Sequence, residues 1–209
     1  MQNTISADAS GFTKITDVCP DVILEMRYFS TYNFTGTRVD GYEAPVALLT
    51  KEAAAALSHV SARMIARGFR LKIWDAYRPQ RAVAHFVRWA EDEGDTRMEP
   101  WFYPGVDKRE LFRLGFIARR SGHTRGSTVD LTLLSMRTGG ELDMGTGFDL
   151  FSERSHYGAS GLTDAQRENR RLLREAMEGG GFEPYDGEWW HFTLLNEPYP
   201  NTYFDFPVR

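Results

Sequence analysis

The first strong periodicity along the chain lies in LTKEAAAALSHVSARMIARG, residues 49–68. Its apolar positions Leu57, Val60, Met64 and Ile65 recur at helical spacing, Thr50 caps the start and Gly68 ends it. In FRLKIWDA, 69–76, apolar and polar residues alternate instead, which predicts a strand with Phe69, Leu71, Ile73 and, if the alternation continues, Asp75 on one face. Pro79 opens a second helix running to about Trp89, because the first helical turn has no use for the missing N–H. A short helix is predicted near 107–114 and a strand over 127–135, followed by a segment, 136–161, too glycine-rich and mixed to be regular. LTDAQRENRRLLREAMEGGG, 162–181, reads as a helix with Thr163 as N-cap and glycines as its stop. FEPY and EWWHFTLL then form two short strands about a turn at Asp186–Gly187. The first fifty residues hold mainly turn formers, with short apolar pieces such as VILEMRYF at 22–29. This order of helices and short strands predicts an α+β fold: a single domain over 1–209 with a small central antiparallel or mixed sheet flanked by helices.

Composition narrows the function classes. With 209 residues, 42% hydrophobic and 26% charged, the chain can bury a continuous core and lies outside the disordered regime. A net charge of −4 gives no electrostatic footprint for nucleic acid or an anionic membrane. The clusters KRE at 108–110 and ARR at 118–120 are short, mixed with acids, and read as solvated faces. Cys19 is the single cysteine, so there is neither an internal disulfide nor a CxxC metal site. No apolar run approaches the roughly 18 residues of a membrane span. MQNTISADASGFTKI lacks the basic and apolar regions of a secretory signal. A cytoplasmic location is therefore expected, and a homo-oligomer remains open.

Candidate chemistry sits on three residues. His59 and His85 lie in helical patterns without a partner at ligand spacing, and His156 lies on a loop after Glu153, so all three read as structural. SGHTRGSTVDLTL, 121–133, places His123 on a polar turn that Gly126 permits, ahead of Asp130 in a buried strand. A carboxylate there needs hydrogen-bond donors, an arginine or a cation. His191, in EWWHFTL, follows Glu188 by three residues. Two imidazoles and one carboxylate make a three-ligand set suited to catalytic zinc, with a fourth position for water. Spacing alone leaves open a hydrogen-bonded histidine–aspartate core pair.

SGHTRGSTVDLTL fits the pattern S-x-H-x-x-G-x-x-x-D and EWWH the pattern E-x-W-H, and both resemble the zinc D-Ala-D-Ala dipeptidases. These are the VanX-type enzymes, relatives of the D-alanyl-D-alanine carboxypeptidases and of the hedgehog-type fold. MRYFSTYNFTG at 26–36, DGYEAP at 40–45, WDAYRPQRA at 74–82 and MGTGFDLFSERSH at 144–156 resemble the same family, in the same order, so the likeness covers most of the chain. It implies one zinc ion per chain on His123, Asp130 and His191, with Glu188 as acid/base and Arg78 stabilising the oxyanion. It also implies a free dipeptide as substrate, its ammonium near Tyr28 and Asp149 and its carboxylate receiving a hydrogen bond from Ser121. A D,D-carboxypeptidase of the wider zinc group is the nearest alternative. A non-catalytic module retaining the metal is the other, against which the presence of both Glu188 and Arg78 weighs.

Overall fold

The computed structural model describes residues 4–209, and its elements run as follows. The N-terminal region holds β1 (Thr4–Ser6), β2 (Phe12–Lys14), α1 (Ile15–Val18), β3 (Ile23–Leu24) and β4 (Leu48–Thr50). Then come α2 (Lys51–Ala66), β5 (Phe69–Asp75), α3 (Gln80–Glu91), α4 (Glu99–Phe102) and β6 (Thr128–Ser135). The chain ends with α5 (Asp164–Glu178), β7 (Phe182–Pro184), β8 (His191–Leu194) and β9 (Thr202–Phe204). The fold is α+β, as expected. A mixed five-stranded sheet in the order β3–β5–β6–β8–β7 carries the site, and the pairs β1–β9 and β2–β4 stand apart from it.

The two long helices follow their local signals. Thr50 Oγ1 accepts from the Ala53 amide at the start of α2, and Gly68, at φ +85°, follows its end. Thr163 and Gln166 form a reciprocal capping box on α5. The apolar face of α2, with Ala54, Leu57, Val60 and Met64 fully buried, packs on β5 and α5. This fixes the helical layer behind the sheet.

Four expectations are corrected. β5 carries a bulge: Ile73 faces Leu131 and Asp75 faces Asp130, so Trp74 is the extra residue. Asp75 thereby lies on the Asp130 face rather than with Ile73, which plain alternation had predicted. The segment near 107–114 makes only a 3-10 turn at Lys108–Glu110. Lys108 is buried there, because its ammonium donates to the carbonyls of Trp89, Asp92 and Asp95 at and beyond the end of α3. The KRE cluster is thus not a wholly solvated face. Strand β8 begins at His191, and Glu188–Trp190 form a turn closed by the His191 amide on the Glu188 carbonyl at 3.1 Å. The chain leaves the sheet there because the Trp189 amide donates to Ser155, off the ladder. The short strands of the first fifty residues pair both with one another, β2 with β4, and with later segments, β1 with β9 and β3 with β5.

Candidate active site

Strand register does most of the positioning. Asp75 on β5 faces Asp130 on β6, and Asp130 faces His191 on β8, so three chemically active side chains stand abreast across the sheet. His123 reaches the row from a 3-10 turn, Gly122–Arg125. Ser121 caps that turn by accepting from the His123 amide, and Gly126 closes it at φ +82°. A side chain at Gly126 would also overlap the Phe12 ring, and the Gly126 carbonyl accepts from Thr50 at 2.7 Å. Only glycine satisfies both the backbone angle and the space.

Three candidate ligand side chains converge. His123 Nε2 lies 3.1 Å from Asp130 Oδ2 and 3.3 Å from His191 Nδ1, and His191 Nδ1 lies 3.1 Å from Asp130 Oδ1. Among the described residues this is the group of His, Cys, Asp and Glu side chains placed to share an ion. The proton positions decide how to read it. His123 Nδ1 approaches the Ala76 carbonyl at 2.7 Å, and a carbonyl only accepts, so Nδ1 carries the proton and Nε2 turns a lone pair to the cluster. Burial holds the His123 imidazole below its ordinary pKa, which favours that neutral form. Asp130 is 2% exposed, and its Oδ1 makes no well-aligned hydrogen bond despite the nearby imidazole. Burial alone would raise the Asp130 carboxyl, but His123 and His191 hold it well below the ordinary range. A tetrahedral ion with bonds of about 2.0–2.1 Å sets its ligand atoms roughly 3.3 Å apart, the separation of the two imidazole nitrogens.

The remaining groups surround this centre. Glu188 Oε2 is 3.4 Å from His191 Nδ1 and belongs to the adjoining turn rather than to the converging trio. Burial pushes its carboxyl above the ordinary value. Arg78 Nε and Nη2 both reach Asp75 Oδ2, at 2.9 and 2.8 Å, while Tyr42 donates to Asp75 Oδ1 at 2.6 Å. Nη2 also lies 3.7 Å from Asp130 Oδ2, so Arg78 separates two buried carboxylates that would otherwise repel. Tyr28 donates to Asp149 Oδ2 at 2.8 Å. Asp149 is buried with φ +59°, an unusual backbone state for a residue other than glycine, of a kind that clusters at functional sites. Burial, with Asp130 adding repulsion, lifts its carboxyl well above the ordinary range. Tyr28, Arg78, Ser121, Asp149 and Glu188 all line one cavity of about 300 Å³ with the converging trio, so every site residue expected from the sequence comes together.

Sequence reasoning missed three supports. Asp75 and Tyr42 sat inside WDAYR and DGYEAP without an assigned role, although a charge beside Arg78 was a usable signal. Arg170, 1% exposed on α5, has no such signal. Its guanidinium donates to the carbonyls of Met144, Arg154 and His156 at 2.7, 3.0 and 2.5 Å, and burial lowers its pKa to about 10. It pins both ends of the loop that carries Asp149 and that braces Trp189, next to Glu188, through Thr146. Arg170→Met is expected to cost about 3 kcal/mol, since buried carbonyls lose their donors, and urea denaturation checks it. An unchanged midpoint would show the clamp to be dispensable.

The His123 lone pair, turned towards a buried carboxylate and a second imidazole, suits a cation, and the half-buried Glu188 carboxylate beside them in a small cavity gives water a base. The class so defined is a metal-dependent hydrolase. A family model described as D-ala-D-ala dipeptidase matches residues 8–209. The chain is 43% identical over 199 residues to a D-alanyl-D-alanine dipeptidase of Enterococcus faecium, covering 95% of this chain and 98% of the relative. A D-alanyl-D-alanine dipeptidase of Streptomyces coelicolor is 44% identical over 197 residues, covering 94% and 98%. One of Escherichia coli is 35% identical over 188 residues, covering 90% and 86%. The chain belongs to the D-Ala-D-Ala dipeptidase family, and it is a metallopeptidase. No helix among the described residues is long and apolar enough to cross a membrane.

Proposed function

We propose that the chain, acting as one domain in the cytoplasm, hydrolyses free D-Ala-D-Ala to two D-alanines with one zinc ion held by His123, Asp130 and His191. The observation that carries this is the convergence of three ligand atoms, all within 4.8 Å of one another, beside Glu188. Zinc supplies, when bound, Lewis acidity and a water that ionises near neutral pH. Glu188 accepts the nucleophile's proton at Oε2 and returns it to the departing amino group. Arg78, held along one edge by Asp75, turns its fixed positive charge to the oxyanion that develops on the scissile carbonyl. Holding the guanidinium beforehand means that no reorganisation is needed when charge appears.

The dipeptide's ends find complementary groups. Asp149, with Tyr28 fixing one oxygen, receives the ammonium, whose charge draws the raised carboxyl back to its ionised form. Ser121 Oγ already accepts from the His123 amide, which leaves its own proton for the substrate carboxylate. The reaction removes the dipeptide before it enters cell-wall precursors, which serves glycopeptide resistance or recovery of D-alanine.

Turnover of free D-Ala-D-Ala against turnover of a pentapeptide ending in the same pair tests the assignment. The free dipeptide is expected to be preferred about 10- to 150-fold in kcat/KM, because only it presents an ammonium to Asp149, and a partly desolvated charged contact contributes about 1.5–3 kcal/mol. Preference for the pentapeptide would point instead to a carboxypeptidase.

A further inference from the structure

The loop entering the site carries three arginines close together. Arg119 pairs with Glu91 at 3.1 Å and Arg125 with Glu197 at 2.8 Å. Arg120 lies between them and is different. It has no ion pair or hydrogen bond among the described residues, and its guanidinium stands 5.9 Å from the centre of the Tyr203 ring. It is solvent-exposed yet lines the catalytic cavity, directly before Ser121. The sequence reading of ARR as a solvated face therefore misses what this arginine borders.

The charges around the cavity give Arg120 a task. Asp130, Asp149 and Glu188 line it, and among the described residues the other arginine there, Arg78, is already engaged by Asp75. A carboxylate brought into such surroundings loses water and meets a predominantly negative wall, so it needs a cation of its own. Ser121 alone supplies one neutral donor, whereas a guanidinium adds a permanent charge and a paired set of N–H groups that match a carboxylate.

We propose that Arg120 is a specificity-determining residue that binds the free C-terminal carboxylate of the substrate, together with Ser121. This rests on the dipeptidase assignment above, with the amino end at Asp149 and the carboxylate end at the Arg120–Ser121 loop. Arg120 also draws the anionic end of the dipeptide towards the mouth of the cavity, an effect that weakens with salt. Selection of a free carboxylate so close to the scissile amide excludes chains extended beyond the second residue.

The test pairs a charge deletion in the enzyme with one in the ligand. KM for free D-Ala-D-Ala is measured for the unaltered protein, Arg120→Ala and Arg120→Lys, with D-alanyl-D-alaninamide as a competitor whose inhibition constant is read in the same assay. Arg120→Ala is expected to raise KM for the free acid about tenfold, the effect of one partly exposed charge-assisted contact, with kcat within about twofold. The inhibition constant of the amide should move less than about twofold, and Arg120→Lys should recover most of the loss. An unchanged KM for the acid, or a rise matched by the amide, would overturn the role of Arg120 while leaving the dipeptidase assignment intact. No turnover of D-Ala-D-Ala by the unaltered protein would instead overturn the assignment, and this proposal with it.

Discussion

Glu188→Ala is expected to keep stoichiometric zinc and to hydrolyse D-Ala-D-Ala roughly 10²- to 10⁴-fold more slowly, the range that general acid–base groups contribute. The separation of effects follows from position. The converging ligand atoms belong to His123, Asp130 and His191, and Glu188 stands beside them from the turn that precedes β8. Burial pushes the Glu188 carboxyl up, which makes it a stronger base than a solvated glutamate and suits proton transfer nearer neutral pH. Its turn is well braced: the Trp189 amide donates to Ser155, and the Trp189 indole N–H donates to Thr146 at 2.8 Å. Loss of the carboxylate should therefore leave the ligands where they are. Glu188→Gln sharpens the result, because it keeps size and polarity but cannot take a proton. Metal analysis and amine release on the same preparations check both variants, and full activity in either would remove Glu188 from the proton path.

Features with local causes could be read from the sequence, and features with distant causes could not. The caps of α2 and α5 depend on Thr50, Thr163 and Gln166 acting within four residues, and both appear as expected. By contrast, β1 pairs with β9 and Tyr42 bridges to Val208, so nothing near either segment announces a strand. The bulge at Trp74 is the most consequential failure of local reasoning. Period-two alternation put Asp75 with Ile73, yet the inserted residue turns it towards Asp130 and Arg78, where it orients the guanidinium. His123, Asp130, His191, Glu188 and Arg78 were visible because their motifs are compact. Lys108 and Arg170 were not, since each buries its charge against backbone carbonyls that leave no mark in the side-chain pattern.

The second large effect is expected at His123. His123→Ala should bring zinc content to background and abolish measurable hydrolysis, and a readout independent of activity should change with it. Without a cation, the site holds the buried carboxylates Asp75 and Asp130 near one guanidinium, with Asp130 Oδ1 lacking an aligned donor. Such an arrangement is costly in a desolvated site. A bound ion offsets that cost, so chelation should lower the melting temperature of the unaltered protein and added zinc should restore it. Free zinc at 100 times Kd contributes about 2.7 kcal/mol by mass action. His123→Ala removes the Nε2 lone pair that the Ala76 carbonyl keeps turned to the centre, leaving two protein ligands. Its melting temperature should then be low and no longer respond to chelator. Stoichiometric zinc in that variant would refute the ligand set. A chelator response persisting without retained zinc would show that another ion, bound elsewhere, stabilises the fold.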